Sequence, residues 1–161
     1  MRKYLVPIFF LFFFSASAQM TKDDVNLIQA MYGKDKRDLM QAYMQFKDTA
    51  SEHGFWKLYD KYETDRKKLG QNYISILESY ADNYEKLDDK KADELINKAL
   101  ANNLAFENLY TQYYKRMKPV VGALKASQFL QLETYLRNVV KLKISNEIPF
   151  IGQIDRTKVA N

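Results

Sequence analysis

The chain contains no cysteine, one histidine, one tryptophan, three prolines and five glycines in 161 residues. Without thiols there is no disulfide staple, no thiolate metal site and no cysteine nucleophile. The single histidine, His53, cannot supply the several imidazoles that zinc or nickel sensing needs. It also leaves any Ser-His pair without a recognisable nucleophile elbow. There is no glycine-rich phosphate loop. Period-two runs of valine, isoleucine and threonine are missing as well, so the composition predicts an all-α protein with no catalytic constellation and no cofactor or metal site.

The longest apolar run lies at the N-terminus, where Arg2 and Lys3 precede Leu5 to Phe14 and then the small-x-small triplet Ala16-Ser17-Ala18. About ten apolar residues are too few for a bilayer, which needs roughly 20. The pattern predicts a cleaved export signal over residues 1–18, cut after Ala18, and a periplasmic product without stable membrane insertion. No cysteine follows the run, so no lipid anchor is expected. Residues 19–161 are expected to form one domain. The formal charge of +5 drops to about +3 when Arg2 and Lys3 leave. Lysines alternate with carboxylates, as in "KLDDKKADE", which marks solvated helix faces and argues against a nucleic-acid partner.

What the sequence does have is aromatic residues at helical spacing, including twelve tyrosines. A first helix is expected from about Lys22 to Phe46, capped by Thr21, with Val25, Ile28, Tyr32, Leu39, Tyr43 and Phe46 as its apolar contacts. Thr49-Ala50-Ser51-Glu52 reads as a capping box opening a second helix to about Leu87. Its stripe runs through Phe55, Tyr59, Tyr62, Leu69, Tyr73, Ile76, Tyr80 and Tyr84. Asp88 or Asp89 caps a third helix with Leu95, Phe106, Leu109, Tyr113, Met117 and Val120 inward. Gly122 stops that helix, and Pro119 kinks or marks its end. A fourth helix carries Leu124, Phe129, Leu132, Leu136, Val139 and Val140 and ends before Pro149, after which Phe150 and Ile151 are expected to dock. A helix over residues 51–87 would exceed the diameter of a compact globule of this size. The expected architecture is therefore an elongated, long antiparallel hairpin with shorter flanking helices, about four in all. The openings "FWKLYDKY" (55–62) and "FLQLETYL" (129–136) resemble each other and are expected at two similar helix-turn-helix corners.

Three stretches, "FWKLYDKYETDRKKLG", "ESYADNYEKLDDKKADELINKAL" and "KASQFLQLETYLRNVVKLKISNEIPFI", resemble the Spy/CpxP-like exported helical proteins, in particular their little-characterised Bacteroidota-type branch. The resemblance spans roughly residues 44–151. Leu124-Lys125-Ala126-Ser127-Gln128 keeps the Leu and Gln of the family's Leu-Thr-x-x-Gln motif, with Lys in place of Thr. The resemblance implies a helical hairpin, commonly a dimer, with ATP-independent chaperone-like, envelope-stress or metal-linked signalling roles.

The candidate partner-binding residues are Phe55, Trp56, Tyr59, Tyr62, Tyr73, Tyr80, Tyr84, Tyr113 and Phe129. An amphipathic ring buries area and keeps a polar tip, so such a surface would hold unfolded or signalling proteins reversibly, with lysines such as Lys57, Lys61 and Lys125 at its rim. The competing expectation is that Tyr59, Tyr62, Tyr73, Tyr80, Tyr110 and Tyr113 line the helix seam and that Trp56 anchors a corner. His53 with Met40 and Met44 is the one conceivable soft-metal set, and packing is the plainer role for the two methionines.

Overall fold

The computed structural model describes residues 36–148, all of them in helices or the short links between helices. The expected export signal, the expected Thr21 cap, the expected contacts of Val25, Ile28 and Tyr32, and the expected docking of Phe150 and Ile151 lie outside the described residues. Helix α1 covers described residues 36–44. Helix α2 is Thr49–Asn83, followed by one 3-10 turn, Tyr84–Lys86, and helix α3 is Asp89–Glu147.

The start of α2 differs from the expected capping box. Asp48 takes the cap with extended backbone, accepting the Ser51 N–H on its carboxylate at 2.8 Å and the Glu52 N–H on its carbonyl at 3.2 Å. Thr49 is consequently the first helical residue. Glu52 does not reach back but accepts from Gln41 Nε2 at 2.8 Å. A carboxylate is at least as good a cap as a hydroxyl and also favours the positive end of the helix dipole, which moves the start by one residue. At the next corner Asp88 caps α3 by accepting the Lys91 N–H at 2.7 Å.

Among the described residues three α-helices stand where four were expected, because the third and fourth segments form one element interrupted at Gly122. There the backbone adopts φ 81°, ψ 161°, a region that essentially only glycine enters. Pro119 sits within helical backbone, so the bend belongs to the glycine. The consequence shows in Arg137, which donates to Asn103 Oδ1 at 2.9 Å although 34 residues separate them. A straight helix would hold them about 51 Å apart, so the arm after Gly122 folds back along the arm before it.

Partners along α2 fall in number as those on α3 rise. Leu69 faces Asn102, Asp65 faces Tyr113, and Gly54 faces Val120. At 35 residues α2 is about 52 Å long. The core is concentrated at the end holding α1 and the Gly122 bend. Met40 and Met44 of α1, Phe55, Tyr59 and Tyr62 of α2, and Phe106, Tyr113, Met117 and Phe129 of α3 form one buried cluster. Phe129 meets Phe55 edge-on at 5.9 Å and Tyr62 at 5.0 Å. The two similar sequence openings thus pack directly on each other, their first aromatic residues in contact.

Candidate functional site

Of the nine aromatic residues proposed for partner binding, the structure gathers five, Phe55, Tyr59, Tyr62, Tyr113 and Phe129, into the buried core. In this conformation they offer no surface to a partner, because α1, α2 and both arms of α3 close on one another around them. Trp56 is half-buried at the corner, edge-on to Phe55 at 5.1 Å, with the Arg37 guanidinium 4.2 Å above its ring. Tyr73, Tyr80 and Tyr84 are half-buried in the distal half of the α2 region, and the last two rings touch at 5.7 Å.

Beside the aromatic cluster lies a charged one that periodicity did not reveal. Lys36 is only 6 % exposed and Glu133 2 %. The Lys36 ammonium donates to Glu63 Oε1 at 2.6 Å and to Glu133 Oε2 at 2.7 Å. Tyr62 donates its hydroxyl to the same Glu133 oxygen at 2.7 Å. Arg66 grips Glu63 with two bonds of 2.8 and 3.0 Å, the strong forked geometry of guanidinium and carboxylate. Two cations thus balance two carboxylates, and Lys36 also lies 5.5 Å from the Tyr62 ring centre.

Burial pushes the Glu133 carboxyl above its ordinary range, and Lys36 offsets this only in part. Its Oε1 accepts no hydrogen bond among the described residues. Burial works on Glu63 in the same direction, but Arg66 and Lys36 overcome it and hold that carboxyl below its ordinary value. Burial next to Glu133 carries the Tyr62 phenol well upward, and burial pushes Tyr110 up to about 12. The cluster's charges are turned on one another. Its evident work is to tie α1, α2 and the second arm of α3 together.

The sequence did carry a trace of this cluster. Lys36, Met40 and Met44 follow one another at i, i+4, i+8, and Glu133 stands four residues after the core residue Phe129. Both charged residues therefore belong to buried faces by position, though their residue type argues for solvent.

The apolar surface that remains open lies elsewhere. Ile96, Leu100 and Leu104, spaced by four along the first arm of α3, are 55, 58 and 62 % exposed. They form a row about 12 Å long. The row sits one residue out of step with the buried Leu95 and half-buried Ala99, so a single stripe through this helix passes it by. Leu124, Tyr135 and Leu142 are exposed further along.

Among the described residues no group of three or more His, Cys, Asp or Glu side chains is arranged to hold a metal ion. Met40 and Met44 are buried in the core while His53 is exposed. Among the same residues no helix is long and apolar enough to cross a membrane. Comparison with protein-family models, with curated proteins and with solved structures finds no match to this chain.

Proposed function

We propose that this chain is an exported, non-enzymatic binding protein of the periplasm, built as a long helical hairpin with shorter flanking helices, that holds partly unfolded proteins without ATP. The observation that carries the reading is the open aliphatic row Ile96-Leu100-Leu104 on the first arm of α3. Exposed contiguous aliphatic area on a soluble helix marks a contact surface. At roughly 25 cal/mol per Å² buried, such a row gives weak, reversible capture. The half-buried pair Tyr80 and Tyr84 extends the mixed character of this end. A reversible homodimer would cover the row when no client is present.

The test is aggregation of a chemically denatured client, followed by light scattering without nucleotide. The full exported chain at low molar excess is expected to slow aggregation, and Leu100→Glu is expected to remove most of that effect while leaving the helical signal intact. An unchanged aggregation rate at tenfold excess of the unmodified protein would reject the reading.

The shortness of the row favours a second reading, regulatory docking on the periplasmic part of a membrane sensor. A little over two turns of a single partner helix would cover about 12 Å. One specific partner captured by the unmodified protein and lost with Leu100→Glu, together with no suppression of aggregation, would select it. The metal-responsive alternative draws no support from the placement of Met40, Met44 and His53.

A further inference from the structure

We infer that α1 is a detachable cover over an aromatic groove, and that the groove's second occupant is a partner segment carrying a cation followed, four and eight residues on, by flexible apolar side chains. This rests on the reading that the protein docks protein segments, and it names a surface other than the open row on α3.

The groove runs between α2 and the second arm of α3. Its floor is Phe55, Tyr59, Tyr62 and Phe129, with Phe129 edge-to-face on the other three rings at 5.0 to 6.2 Å and Phe55 stacked on Tyr59 at 5.7 Å. One end is closed by two carboxylates, Glu63 from α2 and Glu133 from α3. Aromatic faces and flexible thioethers suit each other, and a closed anionic end selects a cation. The described part of α1 answers to both, laying Met40 and Met44 on the rings and Lys36 between the carboxylates. The chemistry that recognises α1 is therefore general: any amphipathic segment with the same spacing satisfies it.

Several features set α1 apart from the body it covers. The helices beneath it hold one another through contacts in which α1 has no share, among them Tyr62 on Tyr113, Tyr113 on Asp65, and Arg137 on Asn103 and Phe106. The link to α2 is four residues, 45–48, and contains Gln45 at φ 45°, a left-handed conformation uncommon outside glycine. Among the described residues, the polar ties of α1 besides Lys36 are Arg37 with Asp60, Gln41 with Glu52 and Tyr43 with Gln131, all at exposed positions, and one part-buried bond at the helix end, where the Lys125 ammonium donates to the Met44 carbonyl. The main buried polar tie moves two carboxylates and an ammonium out of water, and attraction in such a site is largely offset by the lost hydration. Segments held in this way open below the global unfolding limit.

The experiment uses the full chain and a fluorescent synthetic peptide of residues 36–46 as probe. In the intact protein the tethered α1 outcompetes a free peptide through its effective concentration, so α1 is released by Met40→Asp with Met44→Asp. The peptide is expected to bind this variant saturably by fluorescence anisotropy, at least tenfold more tightly than a peptide carrying Lys36→Glu. It is expected not to bind a protein in which α1 is fixed by a short bismaleimide joining Gln41→Cys to Glu52→Cys, a cross-link made specific by the lack of native thiols. Glu63→Gln with Glu133→Gln in the released variant should remove the preference for the lysine peptide. The inference is overturned if no saturable binding is seen, if both peptides bind alike, if the cross-linked protein binds as well as the released one, or if the released variant loses its α-helical circular dichroism, since α1 would then be inseparable from the fold. The aggregation assay with Leu100→Glu reads a different surface, so either result can fail without the other.

Discussion

A buried lysine between two carboxylates gives the molecule a pH dependence whose sign follows from which carboxyl is shifted which way. Glu133 has its folded value raised by burial, so its contribution to stability is present below the ordinary value of 4.5 and is lost as pH rises through the raised one. Glu63 has its folded value lowered, so its contribution is present above 4.5 and is lost as pH falls below that value. Acidification from neutrality should therefore first relieve the cost of the Glu133 charge and only afterwards weaken the Glu63 pair. The stability of the unmodified protein relative to Glu133→Gln is expected to fall as pH is raised from about 4.5 towards 8, read as the difference in thermal midpoint between the two. A flat difference across that window would mean that Glu133 carries no buried charge. Lys36→Met should cost about 3–5 kcal/mol at pH 7, because it strands a buried carboxylate without its cation, and the cost should shrink as pH falls, since burial favours the protonated form of Glu133. None of this was legible from residue type alone. Scanning for apolar periodicity assigns a lysine or glutamate to water, whereas here each side chain is inward because its polar head meets an opposite charge at under 3 Å. The aromatic core positions were legible, since Phe55, Tyr59, Tyr62, Tyr113 and Phe129 obey the spacing of a buried stripe and no polar atom contradicts it.

At the level of elements, the helical class and the corner at Asp88 followed from the scarcity of glycine and proline and from a carboxylate standing just before a helical stripe. Less was legible where two local signals compete. Asp48 and Thr49 are both good caps, and the carboxylate prevailed. Pro119 and Gly122 both interrupt helices, and only backbone angles separate their roles. Proline is accommodated within the bent element, and glycine supplies the one conformation that lets α3 turn back on itself. Gly122→Ala follows from that assignment. No heavy atom lies within 4 Å of the added Cβ, so its whole effect comes from the left-handed backbone at φ 81°. Holding alanine there should cost about 1–3 kcal/mol, measured as a shift in the urea midpoint at unchanged slope. Pro119→Ala should change stability much less. A stability equal to the unmodified protein for Gly122→Ala would show that the second arm does not depend on this turn.

On the scale of the whole molecule, the aromatic face that made a binding role attractive from sequence is largely spent in holding the helices together, and the apolar side chains left open among the described residues are a narrow aliphatic row on the first arm of α3 and separate residues such as Leu124, Tyr135 and Leu142. That sets a limit on self-association. A stable dimer buries about 800 Å² on each partner, whereas a row of three part-exposed side chains offers an area of a few hundred Å². If two copies meet through Ile96, Leu100 and Leu104, the dimer should be weak and reversible, monomeric at low micromolar concentration and associating only as concentration rises. Sedimentation velocity over a concentration series is expected to show the average mass increasing towards two chains, with Leu100→Glu remaining monomeric throughout. Raised salt should leave such an aliphatic contact intact or strengthen it, since screening acts on charge and not on buried hydrocarbon. A dimer that persists at nanomolar concentration, or one that survives Leu100→Glu, would place the interface on a larger surface than this row. The row would then be free for a client at all times, and capture would no longer compete with self-association.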